Sequence, residues 1–159
     1  MKTAFAALSL LVAISSFDRA EATAVPASFE STGADRDAIQ AVLDTYTKAV
    51  STKDQALFET LLLNKELPFS DVHSAVGANG SSGGTEHYED FRKGVFEGPA
   101  FTQFFRDVHI LQDGPLANVS LVFVNTAADG TSWGWKTMQL LKVGGRWRIA
   151  SEFYTGHAG

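Results

Sequence analysis

Of the 159 residues, 45% are hydrophobic and 19% charged, with 13 Lys and Arg against 18 Asp and Glu for a formal net charge of −5. This composition fits one folded domain with ample apolar material for a core. It argues against the basic surface that nucleic acid or an anionic membrane would require as partner. The absence of cysteine excludes disulfides, thiolate metal sites and a cysteine nucleophile.

In chain order, the first segment is unlike the rest. Lys2 precedes an apolar run, "AFAALSLLVAI" (residues 4–14), too short to span a bilayer. Small residues then offer A-x-A sites ending at Ala22 and Ala24. The pattern is that of a signal peptide over residues 1–24, which predicts export to a periplasmic or extracellular location. Cleavage there removes two charges of each sign and leaves the net charge at −5. No later segment is long and apolar enough for a membrane span. A small, polar linker is expected over residues 25–34, ahead of a domain over residues 35–159.

"DRDAIQAVLDTYTKAVSTKD" spaces Ile39, Val42, Leu43, Tyr46, Ala49 and Val50 along one face of a helix, with charges opposite. Asp35 is the expected N-cap. Asp54 is placed to cap a second helix over residues 55–64, its apolar side formed by Leu57, Leu61 and Leu62. Pro68 ends that region, and "PFSDVHS" reads as a short strand. A Gly/Ser-rich loop follows at residues 74–84, then a third short helix in "TEHYEDFRKGVF".

From Phe104 the hydrophobic period becomes two, punctuated by Asp113-Gly114, Asp129-Gly130 and Gly144-Gly145, dipeptides that favour hairpin turns. A four-stranded antiparallel meander is therefore expected. With helices gathered in the first half, the fold class is α+β. A two-residue loop at Gly144-Gly145 pairs Lys142–Trp147, Leu140–Ile149, Met138–Ser151 and Lys136–Phe153 on one, mainly apolar face. That face also takes Val119, Leu121 and Phe123. The opposite face carries Trp133, Trp135 and Tyr154 beside Gln139, Thr137, Arg148 and Glu152. In this register Glu152 points away from any cavity, towards Thr137 or Arg148, and a bulge in either hairpin inverts the assignment. Trp147 becomes core or cavity floor, whereas Trp133, Trp135 and Tyr154 form a surface for a second copy of the chain.

"YTKAVSTKDQALFETLL" and a meander ending "LLKVGGRWRIASEFY" resemble the nuclear transport factor 2-like superfamily, with the SnoaL-like and lumazine-binding-like branches nearest. The resemblance covers roughly residues 35–157. It implies a cone-shaped α+β barrel, with N-terminal helices packed on a curved antiparallel sheet, shared by ketosteroid isomerases, SnoaL-type polyketide cyclases and scytalone dehydratases. Tyr46 and Asp54 reproduce the eight-residue spacing of the isomerase pattern, and Asp71 falls within one residue of its general base. The second oxyanion donor has no counterpart, since residues 136–142 hold no carboxylate and Met138 or Leu140 occupies that face.

Asp71 and His73, two apart on one strand, would point the same way as a base and its orienter. Tyr46 would stabilise a developing oxyanion. Phe58, Phe91, His109, Phe123, Met138, Leu140 and Trp147 are the candidate lining of an apolar cavity between helix and sheet. No metal-ligand spacing, phosphate loop or nucleophile elbow is present, so no cofactor and no metal are expected. Sequons at Asn79 and Asn118 bear only on a eukaryotic secretory pathway. The reading that follows is an exported pocket protein for a small apolar or aromatic molecule, for which the sequence demonstrates no catalysis. The alternatives are a cofactor-free isomerase, cyclase or dehydratase, and a homodimeric interaction module.

Overall fold

The computed structural model describes residues 28–159; the expected signal peptide and the start of the linker lie outside them. Residues 28–32 run beside a strand, with Ser31 N donating to Ile110 O at 3.0 Å and Gln112 N to Phe29 O at 2.6 Å. Helix α1 (Gly33–Ser51) buries Ile39, Val42, Leu43, Tyr46, Ala49 and Val50, the six residues of the predicted stripe. Burying side chains the size of Ile39 or Leu43 contributes roughly 1.5–3 kcal/mol each. The N-cap position is Thr32 rather than Asp35. Asp35 stands in the first turn and reaches across to the sheet: its Oδ1 accepts from Lys142 Nζ at 2.6 Å and Trp147 Nε1 at 3.2 Å, and its Oδ2 from Gln112 Nε2 at 2.9 Å.

Asp54 caps α2 (Gln55–Glu59) as expected, accepting from Leu57 N. The helix stops after five residues because the next ones pair with the sheet. Leu63 N donates to Ile149 O and Ile149 N to Leu61 O. Strand β1 (Phe69–Asp71) is likewise shorter than predicted. Asp71 turns the chain into a one-turn helix, α3 (Val72–Ala75), by accepting from His73 N. The Gly/Ser stretch is tied down by Gly77 N to Ser81 O and Gly83 N to Ala75 O bonds. Helix α4 (Tyr88–Arg92) passes into a π-type turn, Lys93–Glu97.

The remaining strands are β2 (Thr102–Asp113), β3 (Leu116–Ala127), β4 (Gly130–Val143), β5 (Arg146–Tyr154) and β6 (His157–Ala158). β2 to β5 form the predicted antiparallel meander; the last turn is Gly144-Gly145 as predicted, whereas the first two are Gly114-Pro115 and Ala128-Asp129, each one residue from the predicted dipeptide. β1 adds in parallel to β5, giving the order β1-β5-β4-β3-β2, and β6 extends from β4. The sheet is curved but open, not a closed barrel. An irregularity between Arg106 and His109, with Asp107 at φ 54°, bends β2, as bulges do.

A second bulge changes the faces. β4 and β5 pair as predicted from Val143↔Arg146 to Leu140↔Ile149, but Gln139 then meets Ser151, leaving Ala150 without a partner. Beyond it every β5 side chain changes sides. Glu152 becomes fully buried and Tyr154 packs against the core, while Phe153 is left 37% exposed on the outer face. Tyr154 therefore does not belong with Trp133 and Trp135, and Glu152 does not face Thr137 or Arg148.

A pH dependence follows from the α1–sheet clasp. The Lys142 ammonium, bonded to Asp35, followed by the Gln112 amide, holds the Asp35 carboxyl below its ordinary value near 3.8. A carboxylate with a depressed folded-state pKa contributes stability above the unfolded value and loses it as pH falls through the folded one. Acid unfolding followed by tryptophan fluorescence should therefore be steeper below about pH 4 in the wild type than in Asp35→Asn.

Candidate functional site

Lys136 lies on the inner face of β4, between Gly134 and Met138, and only 3% of its side chain is exposed. A buried ammonium needs a counter-charge and further acceptors. The bulge in β5 supplies the first: Glu152 Oε1 lies 2.7 Å from Lys136 Nζ. Helix α1 supplies the second: Lys136 Nζ donates to Tyr46 Oη at 2.6 Å, and Tyr46 Oη donates to Glu152 Oε1 at 3.0 Å. Around Nζ stand the rings of Tyr46, Phe123, Tyr154, Phe105 and Phe91, with centroids at 4.5, 5.2, 5.5, 5.6 and 6.0 Å, a favourable setting for a cation. Glu152 Oε2 is buried and has no partner among the described residues.

Burial displaces all three groups from ordinary behaviour. Desolvation pushes the Lys136 amine below its usual range, opposed by the Glu152 charge. It pushes the Glu152 carboxyl up, opposed by Lys136. Tyr46 is pushed well up by desolvation and then by the Glu152 charge, so its hydroxyl stays protonated.

Of this cluster, Lys136 lines a pocket of about 270 Å³ between α4 with its π-type turn and the inner faces of β2 to β5, while Tyr46 and Glu152 lie fully buried behind it. Phe91, Phe101, Phe123 and Tyr154 supply apolar wall; Glu86 and Asp90 place carboxylates at its edge. Gln103 and Asn125 add amides: Gln103 Nε2 donates to Asn125 Oδ1 at 2.8 Å, leaving Gln103 Oε1 buried without a partner among the described residues. Phe123 is seated by Gly134, where a Cβ would lie 2.7 Å from its ring. The wall beyond is held by Lys53, which stands at φ 56° after α1. Its ammonium bonds the carbonyls of Val95, Gly98 and Pro99. A larger hollow, about 540 Å³, lies at the far end, where Asp35 and Lys142 already bond each other.

Of the predicted lining, Phe91 and Phe123 face this pocket. Phe58, Met138 and Leu140 are fully buried core, and Trp147 is 4% exposed beneath the start of α1. His109 is exposed on β2, opposite Val108 and Ile110. Of the predicted catalytic set, Tyr46 is in the buried cluster. Asp71 is half-buried with its carboxylate capping α3, and His73 is exposed on α3 rather than in a strand. Among the described residues no hydrogen bond joins Tyr46 to either of them. Trp133 and Trp135 are 42% and 54% exposed on the outer face, as predicted.

Lys136 and Glu152 were missed as a site. A lysine beside Met138 and Leu140 on an apolar face demands an internal carboxylate, and Glu152 is the one carboxylate within β3, β4 and β5. That demand was the available signal for the bulge.

No model of a known protein family matches the chain, and no curated protein matches it. Solved structures do. A nuclear transport factor 2-like protein with a cystatin-like fold from Novosphingobium aromaticivorans is 12% identical over 76% of this chain and 80% of its own, with TM-score 0.61. A nuclear transport factor 2-like protein from Cytophaga hutchinsonii is 18% identical over 79% of this chain and all of its own, at 0.61. The CaMKII hub of S. rosetta is 20% identical over 84% of this chain and all of its own, at 0.59. The chain thus has the nuclear transport factor 2-like, cystatin-like α+β fold. The likeness is one of fold, and fold alone does not carry function.

Proposed function

We propose that this domain binds a small apolar or aromatic molecule in the pocket above Lys136. The observation that carries the reading is a concave, ring-walled space with few convergent polar groups, the usual make-up of a small-molecule site. Its size suits a one- or two-ring ligand. Lys136 offers an N–H at the floor and Gln103 Oε1 an acceptor, so the ligand is expected to carry a polar substituent at its buried end. The apolar segment at residues 4–14 supports export, with the pocket working in a periplasmic or extracellular setting.

Calorimetric titration with benzyl alcohol, indole and 2-naphthol tests this. Gly94 lines the pocket, and a Cβ there would meet nothing within 4 Å, so Gly94→Trp should plug the space without disturbing the core. Binding is expected in the wild type and lost in the plugged variant. Equal binding by both sinks the proposal.

A proton-transfer enzyme using Asp71, His73 and Tyr46 draws less support. The Asp71 carboxylate is engaged at α3, and the Tyr46 hydroxyl already donates to Glu152 and accepts from Lys136. Association with a second copy has its own supporting observation. Phe104, Val124 and Trp133 form one cross-strand row on the outer face, continued by His157, whose ring stacks on Trp133 at 4.4 Å. With Trp135 beside it, this is an exposed aromatic surface of the kind that marks interfaces. Sedimentation should show a concentration-dependent dimer that Trp135→Ala weakens; a wild type that stays monomeric at high concentration rejects it.

A further inference from the structure

We propose that Lys136 is a carbonyl-capturing amine: the pocket takes a small aromatic or apolar aldehyde or ketone, and Lys136 Nζ condenses with it to a protonated Schiff base. The inference rests on the pocket reading above and names the ligand's reactive group.

Three observations converge. Lys136 lines the cavity, and its Nζ lies 6.0, 5.2 and 5.5 Å from the centroids of Phe91, Phe123 and Tyr154, which wall the same space, so a flat carbonyl compound inserted ring-outward is directed at the amine. Burial also favours the unprotonated amine, the form that attacks a carbonyl; desolvation in an apolar pocket is a general way of activating a lysine nucleophile. Finally, a proton acceptor and a relay are in direct contact: Glu152 Oε1 at 2.7 Å and the Tyr46 hydroxyl at 2.6 Å, with Glu152 Oε2 buried and unpartnered among the described residues. A buried ion pair alone does not explain this arrangement, because well-packed apolar residues generally serve stability as well or better.

The steps balance. Lys136 passes one ammonium proton to Glu152. The freed lone pair forms the N–C bond while the carbonyl π pair moves to oxygen. A second nitrogen proton reaches that oxygen through the Tyr46 hydroxyl, giving the carbinolamine. Glu152 then returns its proton to the hydroxyl, which leaves as water as the nitrogen lone pair closes the C=N bond. The ammonium and the carbonyl compound have become an iminium and water with no oxidant or reductant. The iminium keeps the positive charge opposite Glu152 and within the same ring cage. The surface lysines Lys48, Lys65 and Lys93 lack both burial and an enclosed acid–base pair.

The probe is benzaldehyde with sodium cyanoborohydride, followed by proteolysis and mass-spectrometric mapping, with benzyl alcohol as a carbonyl-free competitor. The benzyl adduct should appear at Lys136 with saturation, at an occupancy about tenfold or more above Lys48, Lys65 and Lys93, since a pocket-bound aldehyde is held at high effective concentration beside this one amine. Benzyl alcohol should suppress it, and Gly94→Trp should abolish it while leaving surface adducts unchanged. The readout is on the wild type, so it does not depend on a Lys136 variant folding. If calorimetry shows both compounds binding but adducts form only on surface lysines, the amine assignment fails and the pocket stands. If neither compound binds and Lys136 stays unmodified, both readings fail.

Discussion

Replacing Lys136 by Met should destabilise the protein by roughly 3–5 kcal/mol, the cost of leaving a buried partner charge uncompensated. Glu152 is fully buried, and its remaining neighbour, the Tyr46 hydroxyl, offers one hydrogen bond in place of an ammonium. The double variant Lys136→Met/Glu152→Leu should recover most of the loss, because two apolar side chains of similar volume remove the desolvation cost with the attraction. Urea unfolding of the two singles and the double gives the coupling; a Lys136→Met loss under about 1 kcal/mol would show that the pair contributes little. The single variant also has a pH signature. Without Lys136, Glu152 can escape its penalty only by holding a proton, so its folded-state pKa rises further above the unfolded value near 4.5. A raised acid favours the folded state while protonated in both states, and that advantage is lost as pH rises past the unfolded value. The deficit should therefore be smaller near pH 4.5 than near about pH 8.

Phe58→Ala is the other large effect expected, roughly 3–5 kcal/mol, the usual cost of emptying a phenylalanine site in a packed core. Phe58 is fully buried and touches five rings: Tyr46 at 4.8 Å, Phe91 at 5.3 Å, Phe96 at 5.4 Å, Tyr88 at 5.9 Å and Phe69 at 6.2 Å between centroids. It joins α1 to β1, α4 and the π-type turn, elements that share few backbone hydrogen bonds. Because Phe91 is also pocket wall, binding of the pocket probes should weaken along with stability. Guanidinium unfolding together with calorimetry measures both; a loss under about 1 kcal/mol with unchanged binding would mean the ring cluster is not what holds the pocket wall.

Where a single local rule governs, the sequence was legible. The helical period picked out every buried residue of α1, Asp54 capped α2, and the three turn dipeptides located the meander. The inner placement of Lys136, Met138 and Leu140 and the outer placement of Trp133 and Trp135 followed from alternation. What alternation could not carry was one unpartnered residue, Ala150, after which parity inverts. Glu152 and Tyr154 thereby moved inside and Phe153 outside, and with Glu152 went half of the buried cluster. The shortened α2 and β1 have a similar origin. Leu61 to Leu63 gain sheet hydrogen bonds that compete with a helix, and Asp71 acts as a cap where a strand residue was expected. Its pairing with His73, inferred from strand period, failed for that reason.

The most direct measurement is a crystal structure of the protein soaked with benzyl alcohol. The ring is expected between Phe91, Phe123 and Tyr154, with its hydroxyl directed at Lys136 Nζ or Gln103 Oε1. Ligand found only elsewhere, or a pocket closed by its own phenylalanines while the protein still binds the alcohol in solution, would contradict this placement.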